Sequence, residues 1–292
     1  MSGTESALSA MGLGFSYGRG PVLQDVSIQI TRGSLVSIVG PNGSGKSTLI
    51  KLLSGLLTPQ TGQVLLDGVD VRQIRRRDVA RRLAVVPQET HTPFAFTVWE
   101  MVMMGRTPHV RLFGGETERD RRAVSNAMIL TDTLDFAARH FNELSGGEKQ
   151  RVVIAMTLAQ EAPILLLDEP TVHLDLHHQI QVLQLVRRLN KEQGKTIVAV
   201  MHDLNLAALY FDQLALISKG HIVSIGSPKE VITRENIGKA FQTAVQIQKH
   251  PVTGVPQVIV VPEELQLLEQ AASFPEREEA PSCPMPTYVT KP

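Results

Sequence analysis

The 292-residue chain has little cysteine, no excess of charge and no long apolar run. Its lone cysteine, Cys283, excludes a disulfide framework and a zinc site built from cysteines. The 29 Lys and Arg residues balance the 29 Asp and Glu residues, which argues against general nucleic-acid binding. No apolar run approaches the roughly 18 residues that cross a bilayer, and residues 1–5 lack the features of a secretory signal. We therefore expect a soluble intracellular protein, or one that sits on a membrane without entering it.

The chain does contain short apolar strands that alternate with helical segments, a pattern typical of an α/β domain. Strands are predicted at Val22–Thr31, Leu35–Val39, Leu83–Val86, Ile164–Leu167, Thr196–Met201 and Leu214–Ile217. Helices are predicted from Ser47 to about Leu57 and over Gln179–Gln193. Between Val98 and Gln160 the pattern is helical, which predicts a helical subdomain, about residues 92–160, inserted in the α/β core.

The segment Gly40–Ser47 matches the phosphate-loop pattern G-x-x-x-x-G-K-[ST] between a predicted strand and a predicted helix. Glycines let successive backbone N–H groups point at phosphate oxygens, and the helix N-terminus adds a positive dipole. Lys46 is the candidate ligand of the β- and γ-phosphates, and the Ser47 hydroxyl is the candidate ligand of Mg²⁺. The candidate nucleotide-binding residues here are Asn42, Gly43, Ser44, Gly45, Lys46, Ser47 and Thr48.

The apolar strand Ile164–Leu167 is followed at once by Asp168 and Glu169. Ligands gather at the carboxyl ends of parallel strands, so both carboxylates are expected beside the phosphate loop. Asp168 is the candidate Mg²⁺ ligand, acting through water. Glu169 is the candidate base that orients and deprotonates the attacking water. Taken alone, Asp-Glu after a strand is common on protein surfaces, but the phosphate loop favours the catalytic interpretation.

A third motif, Leu144–Arg151, precedes that strand and opens a helix. Ser-Gly-Gly at a helix start predicts a second anion-binding site, although in isolation it is as typical of a glycine hinge. In this order the motifs resemble those of the nucleotide-binding subunits of ATP-binding cassette (ABC) transporters, from about Leu13 to about Pro228. The family's signature then corresponds to Ser145, Gly146, Gly147 and Glu148.

The resemblance implies roles for four further residues. Tyr17 would stack on adenine, and Asp175 belongs to the family's D-loop. Gln88 would sense Mg²⁺ and the attacking water, and His202 would contact the γ-phosphate, so that both join Glu169 in catalysis. ATP and Mg²⁺ are thus the implied cofactors. A second copy of the chain is the implied partner, because in the family the signature of one cassette caps the ATP bound to the other, head to tail.

The fold implied is a P-loop NTPase with a RecA-like core, an N-terminal antiparallel β subdomain and the inserted α-helical subdomain. This ABC domain would span residues 1–245. Residues 246–292 would form an extension, in which Val258–Val261 pairs with Val245–Ile247 before a flexible tail from Phe274.

Four segments narrow the resemblance to the ATPases of importers for iron–siderophore complexes, haem and cobalamin: Gly105–His109, Leu174–Gln179, Met201–Asn205 and His250–Gly254. Membership would place the chain on the cytoplasmic face of the cell membrane, bound to a polytopic permease and indirectly to a substrate-binding protein, with no nucleic acid. The alternatives are a soluble ABC ATPase acting on DNA or ribosomes, and the cassette of an exporter.

Two clusters of side chains allow other interpretations. His173, His177 and His178 lie close in sequence, but we favour a solvated D-loop over a metal site. The arginines in residues 75–82 are interrupted by Asp78, so we favour a solvated helix face over a phosphate or lipid site.

Overall fold

The computed structural model of the protein describes residues 5–88, 90, 92, 94–110 and 115–262. The predicted tail from Phe274 and Cys283 lie outside the described residues. The strands are β1 (Ser6–Ser16), β2 (Pro21–Thr31), β3 (Leu35–Val39), β4 (Thr61–Leu66), β5 (Val69–Asp70), β6 (Leu83–Val86), β7 (Ile164–Asp168), β8 (Thr196–Met201), β9 (Gln213–Ser218), β10 (His221–Gly226), β11 (Val245–Lys249) and β12 (Pro256–Val260). The α-helices are α1 (Lys46–Leu53), α2 (Arg76–Ala80), α3 (Val98–Met104), α4 (Glu118–Leu130), α5 (Gly146–Ala159), α6 (Leu176–Gln193), α7 (Leu204–Tyr210), α8 (Pro228–Val231) and α9 (Arg234–Phe241).

The central sheet has the order β10-β9-β3-β8-β7-β6. Strands β9, β3, β8, β7 and β6 run parallel, and β10 joins as an antiparallel edge. An antiparallel sheet of order β2-β1-β4-β5 packs beside it. The α/β fold predicted from the sequence is confirmed, with the carboxyl ends of β3, β7 and β8 on one edge of the sheet.

Apolar residues cover both faces of the central sheet. In β3, Leu35 and Val39 join the cluster that includes α3, α4, α5 and α6, whereas Val36 and Ile38 join the cluster that includes α1 and the antiparallel sheet. Successive strand residues point to opposite faces, so a strand covered on both sides is mostly apolar on both. This explains why the central strands read as nearly continuous apolar runs in the sequence, with the buried Ser37 as a polar residue inside β3.

Helices α3, α4 and α5 occupy the region predicted as a helical subdomain. Each begins at a capping box, in which a Ser or Thr accepts from the backbone three residues on and a carboxylate accepts in return. The pairs are Thr97 with Glu100, Thr117 with Asp120, and Ser145 with Glu148. These caps position the helix starts and, for α5, the signature itself.

Two predicted helix bounds differ from the structure. Helix α1 ends at Leu53 rather than near Leu57, because Gly55 adopts a left-handed φ of 72°. Helix α6 begins at Leu176 rather than Gln179, because the Asp175 side chain caps it by accepting from His178 N.

The arginines of residues 75–82 are exposed, as predicted, and two of them, Arg77 in α2 and Arg81 just after it, also bind backbone. Arg77 donates to the carbonyl oxygens of Pro108 and Val110, at 2.8 and 2.5 Å, and Arg81 donates to that of Pro108 at 3.0 Å. These hydrogen bonds hold the loop after α3 against the α/β core.

Strands β11 and β12 form an antiparallel hairpin, with Val245 opposite Val260. Asn205 of α7 pairs with the backbone of Val258 in both directions: Nδ2 donates to its carbonyl at 3.2 Å, and Oδ1 accepts from its N–H at 2.7 Å. The hairpin is therefore anchored three residues beyond His202. Among the described residues, no helix is both long and apolar enough to cross a membrane.

Candidate functional site

The phosphate loop leads from β3 into α1, as the sequence predicts. A Cβ on Gly45, which has a φ of 103°, would come within 3.0 Å of the Val22 carbonyl oxygen, so this turn requires glycine. Lys46 is buried and donates from Nζ to the carbonyl oxygens of Gly40 and Pro41, each at 2.9 Å. Burial lowers the pKa of Lys46, against the opposing effect of Glu169 and Asp168. A phosphate would compete for Lys46 with two neutral carbonyls, and charge-assisted bonds are the stronger kind.

Asp168 ends β7 directly across from α1. Its Oδ1 accepts a hydrogen bond from Ser47 Oγ at 3.0 Å. Burial raises the pKa of Asp168, although the Ser47 hydrogen bond opposes this. A buried carboxylate with a raised pKa favours an added positive charge, which fits the predicted cation-binding role.

Glu169 lies between the other two predicted catalytic residues. Gln88 Nε2 donates to Oε2 at 2.6 Å, and His202 Nε2 lies 2.5 Å from Oε1. Glu169 has a φ of 54°, a left-handed conformation that costs a residue with a Cβ roughly 1–2 kcal/mol. The segments that follow β6, β7 and β8 thus each supply one residue to a single cluster.

Gln88, Glu169, His202 and much of the phosphate loop line one cleft of about 660 Å³, whereas Ser44 and Asp168 do not. The cleft brings together the predicted residues Asn42, Gly43, Gly45, Lys46, Ser47, Thr48, Gln88, Glu169 and His202. Tyr17 reaches it through its hydroxyl, 3.5 Å from Thr48 Oγ1. Three lining residues, Val22, Val172 and His173, were not predicted as site residues. Val22 belongs to no motif; His173 has a φ of 61°, which the sequence does not reveal.

The signature residues and Asp175 do not line this cleft. Ser145 caps α5, and its N–H donates to Glu148 Oε2 at 2.8 Å. That hydrogen bond, more than the nearby Arg139 and Arg151, holds the pKa of Glu148 below its usual range. Of the two helix starts predicted to bind anions, α1 faces Asp168 and Glu169 of its own chain and α5 does not.

The donor set fits Mg²⁺ held mainly by phosphates. No group of three or more His, Cys, Asp or Glu residues that could hold a metal occurs in the part of the chain that the structure describes. Mg²⁺ is usually bound through one or two carboxylates together with substrate phosphates and water. Ser47 and Asp168, in contact with each other beside the phosphate loop, match that requirement.

Comparisons with known proteins agree with this geometry. The family model for ABC transporters matches residues 23–172. A cobalamin import ATP-binding protein of Halobacterium salinarum is 44% identical over 256 residues, covering 88% of this chain but only 64% of that protein. A ferric enterobactin transport ATP-binding protein of Escherichia coli is 43% identical over 258 residues, 88% of this chain and 95% of that protein. A hemin import ATP-binding protein of Thermobifida fusca is 43% identical over 254 residues, with coverage of 87% and 88%.

Solved structures resemble the fold over most of its length. A metal-chelate type ABC transporter in an inward-facing conformation matches with a TM-score of 0.79 and 29% identity, over 89% of this chain and 99% of that one. A dimeric ATP-binding cassette in a post-hydrolysis state with ADP and phosphate matches with a TM-score of 0.66 and 29% identity, over 75% and 98%. This chain is therefore a member of the ABC transporter family of ATP-binding proteins.

Proposed function

We propose that the chain is the ATP-hydrolysing subunit of an importer that takes up iron–siderophore complexes, haem or cobalamin. The observation that carries the hydrolytic part is the placement of Glu169 between Gln88 and His202, in the same cleft as the phosphate loop. The import part is supported by the relatives, which are named for import or transport of cobalamin, ferric enterobactin and hemin.

In this proposal Glu169 accepts the proton of the attacking water. Gln88 and His202 hold its two carboxylate oxygens, so the base keeps one orientation before the nucleotide arrives. His202 then contacts the γ-phosphate, and Lys46 exchanges its two carbonyl partners for phosphate oxygens. Ser47, Asp168 and Gln88 would hold Mg²⁺, which would supply positive charge to offset that of the phosphates.

The proposal requires two copies of the chain. Ser145, Gly146 and Gly147 lie outside the cleft of their own chain, so they are available to cap ATP bound to another. A twofold head-to-tail pair would build two complete sites, each with the phosphate loop of one copy and the signature of the other. The cassette of the same fold that is dimeric with ADP and phosphate bound supports the requirement for two copies.

The remaining partners are proposed from the family. A polytopic permease would hold the chain at the cytoplasmic face of the membrane, and a substrate-binding protein would deliver cargo to the permease. Nucleic acid is not an expected partner, because 29 basic residues are balanced by 29 acidic ones. Cargo selection would belong to these partners, since the chain itself handles ATP.

The test is ATP hydrolysis by the chain reconstituted with its permease in vesicles, with ferric siderophore, haem or cobalamin supplied on the binding protein. We expect one of the three cargoes to stimulate hydrolysis, and Glu169→Gln to abolish both basal and stimulated turnover. Recovery of the chain only with ribosomes or DNA, and no stimulation by any cargo, would refute the importer proposal.

A further inference from the structure

The start of α6 packs directly against the signature of the same chain. A Cβ on Gly147 would come within 2.7 Å of Cγ and 2.8 Å of Nε2 of His178. Real Cβ atoms essentially never approach other heavy atoms so closely. The imidazole ring of His178 therefore occupies the space where a side chain of residue 147 would stand. Gly146 is less crowded, with Leu174 Cδ2 at 4.0 Å from its added Cβ.

Asp175 fixes the orientation of that ring. Its Oδ1 lies 2.9 Å from both the backbone N and Nδ1 of His178. These hydrogen bonds hold the pKa of Asp175 below its usual range, with the nearby charges of His178 and His177 contributing less. One carboxylate oxygen thus caps α6 and holds the imidazole, so the ring cannot swing away from Gly147 without losing a hydrogen bond to a charged group.

The contact lies at the first turn of α5. Helix starts carry backbone N–H groups without a partner inside the helix, and an anion bound there needs them at fixed positions. Ser145 and Glu148 cap the turn from one side, and the His178 ring supports it at Gly147. No other described side chain approaches Gly147 as closely.

We propose that His178 is a positioning residue of the signature. Its ring, held by Asp175, sets the position of the α5 start that caps the partner's ATP, so the D-loop and the signature of one chain act as a single unit. This inference rests on the proposed function, because it matters only if the signature binds ATP held by a second copy.

The first experiment measures ATP-driven dimerisation of the full chain in the Glu169→Gln background by size-exclusion chromatography with light scattering. We expect His178→Ala to raise the ATP concentration for half-maximal dimerisation about tenfold, the range expected when a misplaced α5 start loses one hydrogen bond to a phosphate of the partner's ATP. Affinity of the monomer for a fluorescent ATP analogue should stay unchanged, because His178 lies outside the cleft. A merely structural role would weaken both measurements together with the melting temperature.

His177→Ala is the matched control. His177 is the exposed neighbour on α6, with its ring 5.6 Å from that of His178 and Nε2 3.0 Å from Gln181. It should dimerise like the parent. Equal dimerisation by the His178→Ala and His177→Ala variants would overturn the inference.

A double-mutant cycle tests whether position 147 must be glycine because of the His178 ring or for another reason. Gly147→Ala alone should raise the half-maximal ATP concentration about ten- to hundredfold, because the new Cβ meets the ring. In the His178→Ala background the same change should add less than about twofold, since the space is then open. An equal cost in both backgrounds would show that glycine is required for a reason other than His178.

Failure of the inference and failure of the proposed function give different results. If the Glu169→Gln parent does not dimerise with ATP, the shared-site function is refuted. If the parent dimerises and the His178 variants do so equally well, only the role of His178 is refuted.

Discussion

Arg106→Met tests the buried ion network where α3, α4 and α5 meet. The guanidinium is 1% exposed and bonds Asp120 at 2.9 Å, Glu161 at 2.7 Å and the Ala159 carbonyl at 2.6 Å. Methionine keeps an apolar stem of similar length but removes every donor. Glu161 is 45% exposed and can hydrate, whereas Asp120 is 6% exposed and cannot. The cost therefore comes mainly from one uncompensated buried carboxylate.

Breaking a buried pair by removing one partner typically costs about 3–5 kcal/mol. Since Asp120 keeps its bonds to Thr117, we expect the lower end, about 3 kcal/mol, as a loss in free energy of unfolding. Urea unfolding followed by circular dichroism measures it. The control is Arg122→Met, whose pair with Glu118 is exposed and should contribute less than about 0.5 kcal/mol. A loss below about 1 kcal/mol for Arg106→Met would refute the reasoning, because it would mean that Asp120 is not left buried and charged.

Three further predictions concern single side chains. Lys46→Ala should weaken ATP binding about ten- to hundredfold, the value of a charge-assisted hydrogen bond. The control Lys191→Ala, at an exposed lysine, should leave ATP binding unchanged. Equal ATP affinities of these two variants in a fluorescence titration would refute the phosphate-loop assignment. Hydrogen bonds from the Thr117 hydroxyl and, to a smaller extent, from Arg106 lower the pKa of Asp120 from 3.8 to about 2. The ionised carboxylate therefore stabilises the fold fully at pH values above 3.8, its pKa in the unfolded chain, and this stabilisation is lost as the pH falls towards 2. Asp120→Asn should therefore show a smaller drop in melting temperature than the parent between about pH 5 and about pH 3, and identical drops would contradict this. Asn205→Ala removes both bonds to Val258 and should speed amide exchange in the hairpin of β11 and β12; unchanged exchange would show that the hairpin is held by other contacts.

Much of the fold could be predicted from the sequence, because strands of the central sheet that are buried on both faces consist mostly of apolar residues. The strand β3 is apolar except for Ser37, β7 is apolar up to Asp168, and each ends where a motif begins. The helix bounds were less accurate. The end of α1 depends on the left-handed φ of Gly55, and the start of α6 depends on whether Asp175 caps it or belongs to the loop.

Nine cleft residues were predicted because each belongs to a motif with one chemical purpose, whereas Val22, Val172 and His173 were not. The contacts that support the predicted residues could not be predicted. The ring of His178 against Gly147 joins segments about thirty residues apart along the chain, and nothing in either motif specifies it. Likewise, Arg106 lies in a segment recognised by resemblance, but its burial with Asp120 follows only from how α3 and α4 pack.

The central claim is that each ATP site is shared between two copies of the chain, and trans-complementation tests it most directly. Two variants are made in the Glu169→Gln background: Lys46→Ala, which disables the phosphate loop, and Ser145→Arg, which blocks the signature. We predict that neither variant dimerises with ATP on its own, because every site in such a pair has one disabled half. A mixture of the two should dimerise, because about half of random pairs combine both variants and so join one intact phosphate loop to one intact signature. A mixture that stays monomeric, at ATP concentrations where the Glu169→Gln parent dimerises, would contradict the shared site.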